Sequence, residues 1–266
     1  MPDERPLTGE VAVVTGALGN LGPHWVESLL SAGAAVLALD LRDEGAAELE
    51  ARVGERGGGF RFEQADVTER DSLGRARGAA AAFGTPSVLV NNAGIDQPPS
   101  AHAERFSIEE IPSEVFRATV ETNLLGVFHA MQVFGAPMAE AGRGSIVNIG
   151  SLYARMAPEP LLYDHMPGDT PFLKPPAYGA SKAGVVNLTR YFARLWGPRG
   201  VRVNSLSPGG VKGAQDGEFV RKYCSRVPLS RMAEPSDLTG PLLFLASDAS
   251  RYMTGQDLRV DGGFDV

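Results

Sequence analysis

The 266-residue sequence predicts a single-domain, doubly wound α/β fold spanning 1–266. The expected core is a mostly parallel seven-stranded sheet of Rossmann-like type with helices on both faces. Three observations predict it. Short apolar runs alternate with longer helical patterns along the whole chain. The runs are apolar at successive positions, as strands covered on both faces must be. Glycine, 32 of 266 residues, exceeds the usual share of about 7% without a collagen-like period, so it marks tight turns and close backbone approach.

The elements follow in order. Val11–Thr15 reads as a buried strand, and a helix from about Leu21 to Ala32 stops at Gly33. Ala35–Asp40 is the second strand, Glu44–Val53 a helix, Phe60–Ala65 a weaker third strand and Glu69–Phe83 a helix. Ser87–Asn91 is the fourth strand, followed by a long helix over Ser113–Met138. Ser145–Ile149 is the fifth strand, Tyr178–Trp196 a helix, and Val201–Leu206 the sixth strand. Pro235–Ala246 is helical and Asp257–Val260 is the seventh strand. Right-handed crossovers put every strand's C-terminal end on one rim, where ligands bind.

Composition excludes several classes. With 25 Lys and Arg against 32 Asp and Glu, the formal net charge is -7, so the basic footprint of a nucleic-acid binder is missing. Cys224 is the only cysteine, so neither an internal disulfide nor a cysteine-based zinc cluster is expected. The four histidines, His24, His102, His129 and His165, show no metal-ligand spacing. We read His24 as a helix-start residue, His129 as an interhelical contact and Cys224 as inert, since no paired base is evident. The polar start, Met1 to Arg5, lacks an apolar signal region. No apolar run approaches the ~18 residues that span a bilayer. One thiol and no leader predict the reducing cytoplasm and no membrane partner.

Chemistry concentrates at strand ends. Thr15-Gly16-Ala17-Leu18-Gly19-Asn20-Leu21-Gly22 joins the first strand to the first helix. Glycines there admit a pyrophosphate onto the helix N-terminus. A tight turn without a ligand is the competing reading, weakened by the strand-turn-helix context. Asp40 ends the second strand, eighteen residues beyond Gly22. A carboxylate there accepts from the ribose hydroxyls of NAD and repels the 2′-phosphate of NADP. Arg42, two residues on, keeps NADP as the alternative.

At Tyr178-Gly179-Ala180-Ser181-Lys182 the pattern becomes specific. Together with the glycine turn, Asn91-Asn92-Ala93-Gly94, Asn123, Ser151 and Pro208-Gly209, the chain resembles the short-chain dehydrogenase/reductase family from about Thr8 to Phe264. A finer resemblance runs to the sugar oxidoreductases of flagellin modification and nonulosonate biosynthesis. Ser151-Leu152-Tyr153-Ala154, the stretch Tyr178–Tyr191, Ser207–Val211 and Val260–Phe264 carry it.

The resemblance implies hydride transfer between NAD and a secondary alcohol or ketone, with Asn123, Ser151, Tyr178 and Lys182 as the catalytic set. Tyr178 and Lys182 share one helix face at i, i+4. An ammonium nearby is expected to lower the phenol's pKa from about 10, so that Tyr178 takes the hydroxyl proton. Ser151 would hold the substrate oxygen and Lys182 the nicotinamide ribose. Asn123 would open its helix enough to seat a water that links Lys182 to solvent. Singly, these residues could be a surface pair, an N-cap and an interhelical contact; jointly they carry the chemistry.

For the cofactor the resemblance implies Gly16, Leu18, Asn20, Leu21, Asp40, Leu41, Asp66, Val67, Asn92, Ala93, Gly94, Tyr178, Lys182, Pro208, Gly209 and Val211. Asp66 would accept from the adenine amino group or cap the helix at Glu69. Three departures stand out. Asn20 replaces a motif glycine, leaving the turn to rely on Gly19, with Asn20 itself tolerant of a left-handed backbone. Gly213 replaces a threonine. The interval from Ser151 to Tyr178 is about a dozen residues longer than usual, and loops of that length tend to be functional.

Substrate contacts are expected from three segments: Ile95–Pro112, the extended loop 152–177 with its six prolines between Pro158 and Pro176, and a lid over 212–227. Ser151, Tyr153, Tyr163 and His165 are the named candidates. Their polarity suits a sugar, polyol or other polar small molecule. The alternatives are a 3-oxoacyl thioester reductase using NADPH and a non-catalytic NAD(H) sensor. By resemblance a homotetramer, or a homodimer, is expected, with the Tyr178 helix and the C-terminal strand at the interfaces.

Overall fold

The computed structural model describes residues 5–54, 59–97 and 105–266. Seven strands form one sheet: β1 Val11–Thr15, β2 Ala35–Asp40, β3 Phe60–Gln64, β4 Val88–Asn91, β5 Gly144–Ile149, β6 Val201–Pro208 and β7 Asp257–Val260. Their order is β3-β2-β1-β4-β5-β6-β7, and every pairing is parallel. The order reverses between β1 and β4, which opens a crevice at the carboxyl ends of those strands.

Helices cover both faces. They are α1 Gly22–Ser31, α2 Ala46–Val53, α3 Arg70–Ala80, α4 Ser113–Val120, α5 Gly126–Ala130, α6 Ala136–Ala141, α7 Pro176–Trp196, α8 Gly217–Cys224 and α9 Thr239–Ala246. The period-two alternation of the strands sorts their side chains into two cores. Ala12, Val14, Val36, Ala38, Val90 and Val147 pack with Trp25 and Leu29 of α1 and Leu242 of α9. Val13, Leu37, Leu39, Leu89, Ile146 and Val203 pack with Phe134, Val185 and Trp196 on the opposite face. A third, smaller cluster lies off the sheet and joins the 152–177 loop to α8: Leu152, Leu162, Tyr163 and Phe172 meet Phe219, Tyr223 and Val227.

The strand expectations agree with these bounds to within two residues, whereas the helices differ more. The long helix expected over Ser113–Met138 is continuous only in direction. Two π-helical stretches, Glu121–Leu125 and Met131–Gly135, separate α4, α5 and α6. The helix expected from Glu44 begins at Ala46, and that expected over Glu69–Phe83 covers only Arg70–Ala80. The loop 152–177, expected without secondary structure, contains 3-10 turns at Leu152–Ala154 and Pro160–Leu162.

Two histidine readings are settled by geometry. His24 lies in the first turn of α1, and its Nε2 meets Thr239 Oγ1 at 2.7 Å, tying α1 to α9. His129 is not an interhelical contact: its Nδ1 lies 3.2 Å from the carbonyl oxygen of Val67, in the β3–α3 connection. His102 and Met1 to Glu4 lie outside the described residues.

Candidate active site

The site begins at the rim of the sheet. β1 ends at Thr15, whose Oγ1 accepts from the backbone N–H groups of Asn92 and Ala93, each at 3.1 Å. Asn92 Nδ2 donates to the Gly16 carbonyl at 2.8 Å, so the turns after β1 and β4 are locked together. Gly16 has φ +65°, and a Cβ there would lie 2.6 Å from Ala93 Cα. A Cβ on Gly22 would meet the Gly16 oxygen at 2.2 Å. Only glycine fits at either position. The left-handed residue of the turn is therefore Gly16, while neither Gly19 nor Asn20 adopts positive φ. The expectation that the turn relies on Gly19 is corrected: the close approach of the β4 loop places the demand three residues earlier, at Gly16.

Asp40 closes this wall. Its Oδ2 accepts from Leu18 N at 2.9 Å and its Oδ1 from Arg42 N at 3.2 Å. Each carboxylate oxygen keeps a second lone pair for a hydroxyl donor. Asp66 does not cap α3. Its Oδ1 instead accepts from Thr68 N and Thr68 Oγ1 at 2.8 and 2.7 Å, because the chain turns at Asp66 before the helix, and Glu69 takes the cap position without a side-chain bond.

A cavity of about 980 Å³ runs along the rim. That is the upper end of ordinary ligand pockets, about 300–1,000 Å³. Among the expected cofactor residues, Gly16, Asn20, Leu21, Asp40, Leu41, Asp66, Val67, Asn92, Ala93, Gly94, Pro208, Gly209 and Val211 line it, as do Tyr178 and Lys182. Leu18 does not; it contributes its backbone N–H to Asp40 from behind the wall. Ser151, Tyr153 and Tyr163 line the same cavity. His165 is not on its wall. Its ring nitrogens meet Asp216 Oδ1 at 2.9 Å and Lys222 Nζ at 3.3 Å, so it fastens the loop to α8.

Asn123 sits behind the cavity, fully buried in the first π-helical stretch. The expected opening of the helix is present there. The side-chain amide, however, is committed to protein partners: Oδ1 accepts from Ile95 N at 2.6 Å, and Nδ2 donates to Ile95 O and Ser181 Oγ at 3.0 and 3.2 Å. Asn123 thereby ties the loop after β4 to α7. π-helical insertions of this kind cluster at functional sites.

Tyr178 and Lys182 lie in the first two turns of α7. Lys182 Nζ donates to the Ile149 carbonyl at 2.7 Å and lies 5.8 Å from the Tyr178 ring centre. Ser151 hydrogen-bonds the Tyr178 hydroxyl, and its Oγ also accepts from Tyr153 N at 3.2 Å, so it is both partner and cap. The expected acid shift of the phenol is reversed. Part of Tyr178 faces the cavity, yet it lies deep enough that burial pushes its pKa above the usual tyrosine value; Asp96 adds to the rise and the Ser151 hydrogen bond opposes it. Burial likewise pushes Lys182 down to about 8, against the pull of Asp96. A low-dielectric setting penalises the charged form of each group.

Residues 16–265 match the family described as Enoyl-(Acyl carrier protein) reductase. The D-threitol dehydrogenase of Mycolicibacterium smegmatis is 38% identical over 98% of this chain and 94% of its own length. The chain belongs to the short-chain dehydrogenase/reductase family. Galactitol 2-dehydrogenase (L-tagatose-forming) of Cereibacter sphaeroides is 34% identical over 98% of this chain and 96% of its own. A crystal structure of a putative NAD(P)-dependent gluconate 5-dehydrogenase from Beutenbergia cavernae, with bound NADP, superposes with TM-score 0.83 at 35% identity, covering 98% of this chain and 99% of that one. None of these three family members is named for flagellin modification or nonulosonate synthesis, so the finer resemblance is not carried by them.

The cavity fits the family's dinucleotide. Glycine positions that exclude a Cβ, a helix N-terminus without a side-chain cap and a strand-end carboxylate stand where pyrophosphate and ribose need them. Sequence reading did not single out Asp96, which also lines the cavity. Its partner Lys174 is 78 positions away, a separation no local pattern encodes.

Proposed function

We propose that this chain is an NAD(P)-dependent oxidoreductase acting on a secondary alcohol or ketone of polar, polyhydroxylated character. The observation that carries the reading is the joint placement of Ser151, Tyr178 and Lys182 on the wall that also holds the glycine cradle. When bound, the nicotinamide ring supplies the acceptor for hydride from the carbinol carbon. The chain's own residues do the rest. Ser151 hydrogen-bonds the substrate oxygen and orients it on Tyr178. Tyr178 Oη takes the hydroxyl proton in oxidation as the phenolate, a form that the Lys182 ammonium and the positive ring of a bound oxidised cofactor would favour against the cost of burial, and returns it in reduction. Lys182 and Asp40 hold the two riboses, and Asp66, Val67 and the Asn92–Gly94 backbone frame the adenosine. Asp40 favours NAD over NADP through its charge.

We read 1–266 as one domain, with 152–177 as the substrate-side loop and 212–227 as the lid. The exposed Tyr191 and Leu195 of α7, 64% and 51% accessible, support an assembly of two or four copies through that helix. Among the described residues no helix is long and apolar enough to cross a membrane. The lone thiol supports a cytoplasmic setting.

The test is direct. The protein is mixed with NAD or NADP and a panel of polyols, sugars and simple alcohols, or with NADH or NADPH and 3-oxoacyl thioesters, and the absorbance of the reduced cofactor is followed. Turnover of polyols or sugars is expected. Thioester preference with NADPH, or cofactor binding without any turnover, would overturn the reading.

A further inference from the structure

Asp96 follows the Asn91–Gly94 stretch at the end of β4 and faces the cavity. Its side chain is 40% accessible, whereas that of its partner Lys174 is only 6%. Lys174 reaches across from the 152–177 loop, donates to Asp96 Oδ2 at 2.7 Å and to the Gln97 carbonyl at 3.2 Å. The ammonium also lies 5.1 Å from the centre of the Tyr178 ring and 6.0 Å from that of Tyr153. The pair thus stands over the reacting tyrosine, with the cation shielded and the carboxylate open.

The proton count decides what the pair can do. Lys174 has three donors, and Asp96 and Gln97 engage them. A carboxylate has about four acceptor sites, so Asp96 retains free ones on its cavity side. Its negative field reaches the groups around the reacting centre: it raises the pKa of Tyr153, Tyr163 and Tyr178 and also that of Lys182. An acceptor-only group in that place attracts hydroxyl donors and repels anions. The paired hydroxyls of Tyr153 and Tyr163, 3.1 Å apart, line the same part of the cavity.

We propose that Asp96, braced by Lys174, is the substrate-recognition carboxylate of this cavity. It accepts a hydrogen bond from a hydroxyl on the carbon next to the carbinol being oxidised. The site therefore selects neutral vicinal diols over lone secondary alcohols and over sugar acids. The inference rests on the oxidoreductase reading above and narrows its substrate class. Lys174 is a positioning residue: it holds the carboxylate's orientation from the loop, so the loop's length serves specificity.

The experiment compares three four-carbon probes, threitol, 2-butanol and threonate, as kcat/KM ratios with NAD. Ratios measured on one preparation cancel any loss of folded enzyme. Wild-type protein is expected to favour threitol over both others. In Asp96→Asn the threitol to 2-butanol ratio should fall on the order of tenfold to a hundredfold, the weight of one charge-assisted hydrogen bond, and threonate should gain relative to threitol. Lys174→Met should lower the threitol to 2-butanol ratio by less, mostly through KM, and should not favour threonate, because the carboxylate keeps its charge. An unchanged ratio in Asp96→Asn overturns the recognition role while leaving the oxidoreductase reading intact. A wild-type enzyme that oxidises 2-butanol as well as threitol overturns the diol selectivity itself, and one that turns over neither these probes nor any member of the wider panel above, with either cofactor, overturns both readings.

Discussion

The cavity has two walls built by different means. On the glycine side, the turns after β1, β2 and β4 are joined through backbone groups and short side chains, among them Thr15, Asn92 and Asp40. The sheet beneath sets their spacing. On the opposite side, the 152–177 loop and α8 meet only through side chains. Tyr163, Phe219, Tyr223 and Phe264 stack in series with centroids 5.5, 5.9 and 4.8 Å apart. His165, Asp216, Lys222 and Asp164 tie the surface above them. A wall of backbone tolerates little change and suits an invariant ligand part; a wall of side chains can be re-cut without disturbing the sheet, and suits a variable substrate.

The junction of the two walls is where the comparison is most exposed. Replacing Tyr178 with Phe should lower kcat about 10²–10⁴-fold with an unchanged unfolding midpoint, measured by cofactor absorbance and denaturant melts. Retained velocity would remove the chemical centre from between the walls. On the glycine wall, Asp40→Ala should lower the NAD to NADP ratio of kcat/KM on the order of tenfold to a hundredfold, read in parallel assays. An unaltered ratio would mean that the strand-end carboxylate does not select the ribose.

Lys182 offers a pH test at the same junction. Its folded pKa, about 8, lies below the ordinary lysine value of 10.5. Between those values the unfolded chain binds the proton that the folded chain has shed, so folding gains stability as pH rises from 8 to 10.5. Below pH 8 the full cost of the buried ammonium applies. Lys182→Met should therefore be more stable than wild type at pH 7 by about 1–3 kcal/mol. The difference should vanish near pH 10.5, as measured by urea unfolding at both pH values. A pH-independent difference would show that the ammonium is not held at a cost.

The smallest effect belongs to the side-chain wall. Asp216 caps α8 through the N–H groups of Glu218 and Phe219 and also holds His165. Asp216→Ala should cost about 1 kcal/mol and raise substrate KM a few-fold with kcat and cofactor affinity preserved. A fall in cofactor affinity would show that the two walls are not independent.

Much of this was legible in the residues themselves. The apolar runs at Val11–Thr15, Ala35–Asp40 and Val88–Asn91 marked central strands because burial on both faces leaves few polar positions. Gly16 and Asp40 were found because strand ends are local patterns, and Ser151, Tyr178 and Lys182 because together they resemble the family's set. The opening of the helix at Asn123 was expected from the family resemblance. Other features were hidden by distance along the chain. The tie between His165 and Asp216, 51 positions apart, had no local signal. Lys174 carried no sign of Asp96.

The order of strands and helices, the glycine turn and the residues at the strand ends follow from the sequence alone, since periodicity and turn chemistry act between near neighbours. Which side chains share the cavity, which of them are already engaged and which way Tyr178 and Lys182 shift are decided only by tertiary structure. Those properties depend on burial and on partners brought together from remote positions, and a low-dielectric interior can reverse the sign that two charges would suggest by themselves.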